Sequence, residues 1–168
     1  MKNIYLVGFM GTGKTVVGKV LAKELSKEFI EIDACIEERE GSKIVDIFAN
    51  KGEAYFRGLE KILLGEISQR EDLVISCGGG LICDPDNLNQ LKQTGVVFAL
   101  RASVSTIYQR TKDHLHRPIL NVDNPQERIE QLLKQRVVYY TQADHSIDTD
   151  NFSPEDIADK IIAILNHG

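Results

Sequence analysis

The segment Gly8-Phe9-Met10-Gly11-Thr12-Gly13-Lys14-Thr15 constrains this 168-residue chain more than any other. It fits G-x-x-x-x-G-K-[ST], and it sits where that pattern has physical meaning, between a strand and a helix. The apolar run 4–8, Ile-Tyr-Leu-Val-Gly, reads as a buried strand. Beyond the segment, Val17, Leu21 and Leu25 recur at four-residue steps and predict a helix over 14–27. Glycines let the backbone curl until several N–H groups face one anion, and the positive end of the following helix adds to them. Lys14 then reaches the outer phosphates of a nucleoside triphosphate, and the Thr15 hydroxyl is offered to Mg2+. Gly11, Thr12, Gly13, Lys14, Thr15 and Val16 are the expected nucleotide-binding residues.

The rest of the chain alternates strand-like and helix-like segments. Strands are predicted at 29–33, 72–76, 95–100 and 145–149. Ser42 is the expected cap of a helix over 43–50, and a longer helix is predicted over 53–69. Further helices open at Asp84-Pro85, at Ser103, at Asn124-Pro125 (running to about Tyr140) and at Ser153-Pro154. This alternation predicts an α/β chain, one domain over 1–168, with a mainly parallel sheet covered on both faces. Such sheets bind ligands beyond the carboxyl ends of their strands. Gly8–Thr15, Asp33, Gly78–Gly80 and Arg101–Ser103 fall there. The polar stretch 112–124 lacks helical periodicity and is expected to be a mobile lid.

Composition removes several function classes. A net charge of -5 argues against a general nucleic-acid binder, which gains its affinity from a basic face. No apolar run approaches the roughly 20 residues of a membrane span, and the N-terminal residues lack the features of a signal peptide. Cys35, Cys77 and Cys83 are odd in number and show no C-x-x-C spacing, which argues against a disulfide framework or zinc site and points to a reducing cytoplasm. The chain is short for a motor ATPase or a GTPase, and no Asn-Lys-x-Asp guanine-reading motif occurs. A small-molecule kinase with a closing lid is the reading that remains.

Several residues outside the phosphate loop could carry its chemistry. Arg110 and Arg117 are cations placed to swing over a triphosphate; the alternative is an exposed basic loop. His114 and His116 receive no role. Asp33, at the end of the second strand, could orient an attacking hydroxyl or take its proton, and it could at the same time cap a helix over 34–40. Arg57 lies between Glu53 and Glu60 and is either in a surface ion pair or held by Glu60 and aimed at a substrate carboxylate. Arg136, beside Val137, Val138 and Tyr139, is either a surface residue with a buried stem or a second carboxylate clamp. Gly78-Gly79-Gly80 lets the backbone approach a ligand closely, unless it is a plain loop. Cys77 and Cys83, which flank it, read as small core residues.

Together these pieces resemble the shikimate kinase family along nearly the whole chain. The resemblance rests on Gly8–Thr15, Glu31-Ile32-Asp33, the stretch Gly52 to Glu60 with its F-R-x-x-E element, and Ser76-Cys77-Gly78-Gly79-Gly80. It continues in Arg117-Pro118-Ile119-Leu120 and in Arg136 followed by Tyr140, Ala143 and Asp144. It implies a three-layer P-loop kinase fold, like that of nucleoside monophosphate kinases, with a five-stranded parallel sheet and a lid. The implied reaction moves the γ-phosphoryl group of ATP to the 3-hydroxyl of shikimate, with Mg2+, on the route to chorismate and the aromatic amino acids. By position, Asp33 would contact shikimate hydroxyls and act as base. Arg57, the Gly78-Gly79-Gly80 loop and Arg136 would hold shikimate, the arginines at its carboxylate. Arg117 would be the lid cation on ATP, and Arg110 would lie near the adenine. A cytoplasmic monomer is expected, with no nucleic-acid or membrane partner. The family's usual D-x-D reads Glu31-Ile32-Asp33 here, and its usual proline two residues after the carboxylate arginine is Val138. Rival readings are a kinase for gluconate or a nucleoside monophosphate, and a nucleotide-dependent module without turnover.

Overall fold

A computed structural model describes residues 2–113 and 122–167. Five strands form one parallel sheet: β1 (Asn3–Val7), β2 (Glu28–Glu31), β3 (Leu73–Ser76), β4 (Gly95–Arg101) and β5 (His145–Asp148). Their order is β2-β3-β1-β4-β5, so the strand that feeds the phosphate loop is central. Every residue of β1 is buried, as a strand covered on both faces requires. Its one polar member, Asn3, is satisfied: its Nδ2 donates to the Arg70 carbonyl at 2.8 Å and its Oδ1 accepts from Leu73 N at 3.1 Å.

Alternation along the strands sorts the core into two halves. Ile4, Leu6, Val74, Phe98 and Leu100 face α1 (Lys14–Glu24) and α8 (Pro154–His167). Tyr5, Val7, Ile75, Val97 and Ala99 face the other way, against α2 (Ile32–Glu40), α3 (Ile44–Lys51), α4 (Glu53–Ile67), α5 (Pro85–Thr94), α6 (Val104–Thr111) and α7 (Pro125–Tyr140). Each fully buried aliphatic or Phe side chain contributes roughly 1.5–3 kcal/mol, which is what holds the three layers together. The ladder carries on past the strands: Cys77 N donates to the Leu6 carbonyl at 2.9 Å. That bond delivers the triple glycine to the side of the phosphate loop.

Most predicted helix starts hold. Asp84, Ser103 and Asn124 accept from the backbone N–H groups of Asp86, Thr106 and Glu127, and Ser153 caps α8 reciprocally with Asp156. Two expectations fail. The second strand stops at Glu31, and Asp33 lies inside the first turn of α2 instead of capping it. The apolar pair Ile32 and Ile36, one helical turn apart and both buried, pulls the chain into the helix two residues early. Ser42 does not cap the next helix either. α3 begins at Ile44, whose N–H is taken by Glu37 Oε1 at 3.0 Å, a carboxylate reaching across from α2. The other ends shift by a helical turn at most. Of the expected lid over 112–124, residues 114–121, with His114, His116, Arg117 and Pro118, lie outside the described residues.

Candidate active site

The phosphate loop has the conformation its glycines permit. Gly8, Gly11 and Gly13 all have positive φ, at 142°, 76° and 95°. Gly13 starts α1 with no side chain over its end, which leaves the first amides of the helix for an anion. Lys14 Nζ lies across the loop, donating to the carbonyls of Gly8 at 2.8 Å and Phe9 at 3.0 Å. Thr12 is turned inward and donates both its hydroxyl (2.7 Å) and its N–H (3.3 Å) to the Phe9 carbonyl. Val16 is exposed in the first turn of α1. Arg110 reaches the loop from α6: Nη1 donates to the Gly11 carbonyl and to Thr149 Oγ1, both at 3.1 Å, and Nη2 donates to the Thr149 carbonyl at 3.2 Å. It thereby braces the loop against the end of β5.

Thr15 donates its hydroxyl to Glu31 Oε1. A hydroxyl and a carboxylate at the mouth of a phosphate loop are hard oxygen donors. They fit Mg2+, which takes few protein ligands and fills the rest of its octahedron with water and phosphate. Among the described residues no group of three His, Cys, Asp or Glu side chains could hold a metal by itself.

The glycine triplet is crowded on every side, and the crowding maps the site. A side chain on Gly78 would begin 2.6 Å from Glu60 Oε1 and 2.9 Å from Asp33 Oδ1. One on Gly79 would begin 3.4 Å from Arg136 Nη1 and 3.5 Å from the Gly8 carbonyl. One on Gly80 would collide with the guanidinium of Arg57, whose Cζ is 2.7 Å away. The predicted residues Asp33, Arg57 and Arg136, drawn from three different helices, therefore converge on one backbone segment at the edge of the phosphate loop.

Arg57 is held, not free. Its Nη1 donates to Glu60 Oε2 at 2.6 Å, and its Nη2 and Nε donate to Glu53 Oε1 at 3.2 and 3.4 Å. Glu60 is fully buried, and its Oε1 accepts no hydrogen bond. Burial pushes its carboxyl up to about 7, against the pull of Arg57 and with some help from Asp33 and Glu53. Arg136 is held differently, with its Cζ 5.5 Å from the centre of the Phe9 ring. Cys77 is buried and Cys83 half-buried; burial raises both thiols, so neither is a ready nucleophile.

Sequence reasoning did not single out Phe9 or Tyr140 as parts of this site. Tyr140 donates its hydroxyl to the Gly79 carbonyl at 2.7 Å. Its place four residues after Arg136, on the same face of α7, was the available signal. Phe9 occupies one of the unconstrained positions of the loop motif and offered none.

The chain is similar to known proteins along nearly its whole length. The family model for shikimate kinase matches residues 10–166. The shikimate kinase of Thermodesulfovibrio yellowstonii is 46% identical over 162 residues, covering 96% of this chain and 94% of that protein. A structure of shikimate kinase from Acinetobacter baumannii in complex with shikimate superposes with a TM-score of 0.95 at 40% identity, over 99% of this chain and 94% of that one. A gluconokinase from Sinorhizobium meliloti, at 18% identity and a TM-score of 0.61 over 99% of this chain and 92% of that one, shares the fold alone. With a family model spanning nearly its whole length and relatives this similar, the chain belongs to the shikimate kinase family.

Proposed function

We propose that this chain transfers the γ-phosphoryl group of ATP to the 3-hydroxyl of shikimate, giving shikimate 3-phosphate and ADP for aromatic amino-acid biosynthesis. The observation that carries this reading is the convergence of Arg57, Arg136 and Asp33 on Gly78-Gly79-Gly80 beside the phosphate loop. Two guanidiniums suit an acceptor whose single full charge is a carboxylate, since each can offer it parallel charge-assisted hydrogen bonds. Asp33 supplies a carboxylate for the attacking hydroxyl, accepting its proton as the O–P bond forms. Lys14 and the amides at the start of α1 hold the outer phosphates. Arg117, outside the described residues, is assigned the lid cation by its place in the family motif. Thr15 and Glu31 would hold Mg2+, which neutralises charge on the phosphates. Among the described residues no helix is long and apolar enough to cross a membrane. A cytoplasmic monomer acting on small molecules is part of the same proposal.

The test is ADP release with shikimate, gluconate and nucleoside monophosphates offered separately, with and without Mg2+. Turnover should require both shikimate and Mg2+. Asp33→Asn should keep ATP affinity and lose most phosphoryl transfer, because the amide cannot take a proton. Comparable ADP release without shikimate, or with gluconate instead, would overturn the reading.

A further inference from the structure

Three groups meet at one peptide of the glycine loop. Tyr140 donates its hydroxyl to the Gly79 carbonyl at 2.7 Å. The charge of Arg136, one helical turn earlier on α7, bears on the same phenol oxygen. Tyr140 Oη and Arg136 Nη1 lie 3.8 and 3.4 Å from the point where a Gly79 side chain would begin. On the far side of the peptide, Gly80 abuts the guanidinium of Arg57. The phenol is buried, at 7% exposure, and burial pushes its pKa up to about 12 despite the charge of Arg136. Its proton therefore stays in place at any working pH.

A peptide unit is planar, so fixing the Gly79 carbonyl also fixes the Gly80 N–H on its other edge. Glycine on both sides leaves that plane no side chain to hold it, and both flanking torsions are soft. Leu81 N donates to the Gly78 carbonyl at 3.1 Å and closes a turn around this peptide, but the central peptide of such a turn can face either way. The Tyr140 hydroxyl fixes which way it faces, and it comes from the helix that carries Arg136. We propose that Tyr140 is a positioning residue for the acceptor's carboxylate: its hydroxyl locks the Gly79–Gly80 peptide between Arg57 and Arg136, so that the two guanidiniums keep one separation and one angle. Tyr140 touches no substrate in this role and acts through Gly79. The role rests on the carboxylate-bearing acceptor proposed above.

Tyr140→Phe removes only the hydroxyl. Shikimate KM, and shikimate Kd from calorimetry, should rise about three- to tenfold, the range for one net hydrogen bond. Values of kcat and ATP KM should stay within about twofold. The methyl ester of shikimate has no carboxylate charge for the clamp to read, so wild type and variant should use it equally poorly. An unchanged shikimate Kd, a matching rise in ATP KM, or an equal penalty on shikimate and its ester would overturn the role. A wild type that neither binds nor phosphorylates shikimate is a separate result, and it would overturn the proposed reaction first.

Discussion

Arg57 and Arg136 face the same glycine loop but are held by opposite means. Arg57 spends three of its N–H groups on Glu53 and Glu60, and Glu60 is fully buried. Arg136 has no carboxylate within ion-pair distance among the described residues and rests on the ring of Phe9. An arginine tied to carboxylates is fixed in direction, but part of its charge is already answered. An arginine on an aromatic face keeps its full charge for an incoming anion, with weaker control of its direction. The proposed clamp thus combines one aimed cation with one unneutralised cation. The two also differ in what they do for the fold, because only Arg57 has a buried partner that would be stranded without it.

The sharpest way to break this contrast is to truncate each arginine in turn. Both Arg57→Ala and Arg136→Ala should lower kcat/KM for shikimate by about ten- to a few-hundredfold while sparing ATP KM, since each removes a charge-assisted bond. Their stabilities should part company. Arg57→Ala leaves the Glu60 carboxyl buried without its partner and should cost about 1–3 kcal/mol in urea unfolding. Arg136→Ala strands nothing and should stay within about 0.5 kcal/mol of wild type. Equal losses of stability in the two variants would erase the distinction.

The role of each arginine is open from its neighbours alone, but the sequence shows the support of one far more fully than that of the other, for a physical reason. Glu53, Arg57 and Glu60 are spaced for one helix face, so that network is local and legible. The phosphate loop is legible likewise, because its strand, glycines and helix are contiguous. From its local neighbours Arg136 reads only as an ambiguous cation, and the family resemblance is what assigns it to the carboxylate. Its supports, Phe9 and the Gly79 peptide, lie far away in the chain, and the Tyr140 to Gly79 bond closes a separation of 61 residues. Local preference also misled in two places. Asp33 and Ser42 are good capping residue types, yet the pairing of Ile32 with Ile36 and the reach of Glu37 across to Ile44 decided both helix starts. The Thr15 to Glu31 contact depends on the β2-β3-β1 strand order, and no local pattern announces it.

Glu60 gives the contrast a pH dependence that Arg136 cannot share. In the folded chain its carboxyl titrates near 7, while an unfolded glutamate titrates near 4.5. Between those values the folded state holds a proton that the unfolded state has released. Folding stability therefore falls as pH rises through this window, by on the order of 3 kcal/mol from this one group. Glu60→Gln keeps an oxygen for Arg57 and removes the titration. Urea unfolding from pH 4 to 8 should show the variant gaining on wild type as pH rises, with the difference levelling off above pH 7. Parallel curves would mean that Glu60 is ionised throughout and that Arg57 is held by a permanent charge.

The smallest expected effect tests the aromatic half of the comparison. Phe9 is 1% exposed and belongs to the core as well as to the phosphate loop. Phe9→Leu removes the π face under Arg136 and leaves part of the ring's volume empty, so as a large-to-small core change it should cost about 1–2 kcal/mol. Its carbonyl, which accepts from Lys14 and Thr12, is backbone and survives the change. ATP KM should accordingly stay within twofold. Arg136 is only partly buried, which puts the cation–π contribution toward the low end of its range and predicts a rise in shikimate KM of about two- to fivefold. Packing loss alone could raise KM too, so the decisive measurement is the double variant. In an Arg136→Ala background the ring has no cation to hold, and Phe9→Leu should then leave shikimate KM unchanged. If the penalty persists there at full size, Phe9 acts by shaping the loop, and Arg136 owes its position to Gly79 and Tyr140 alone.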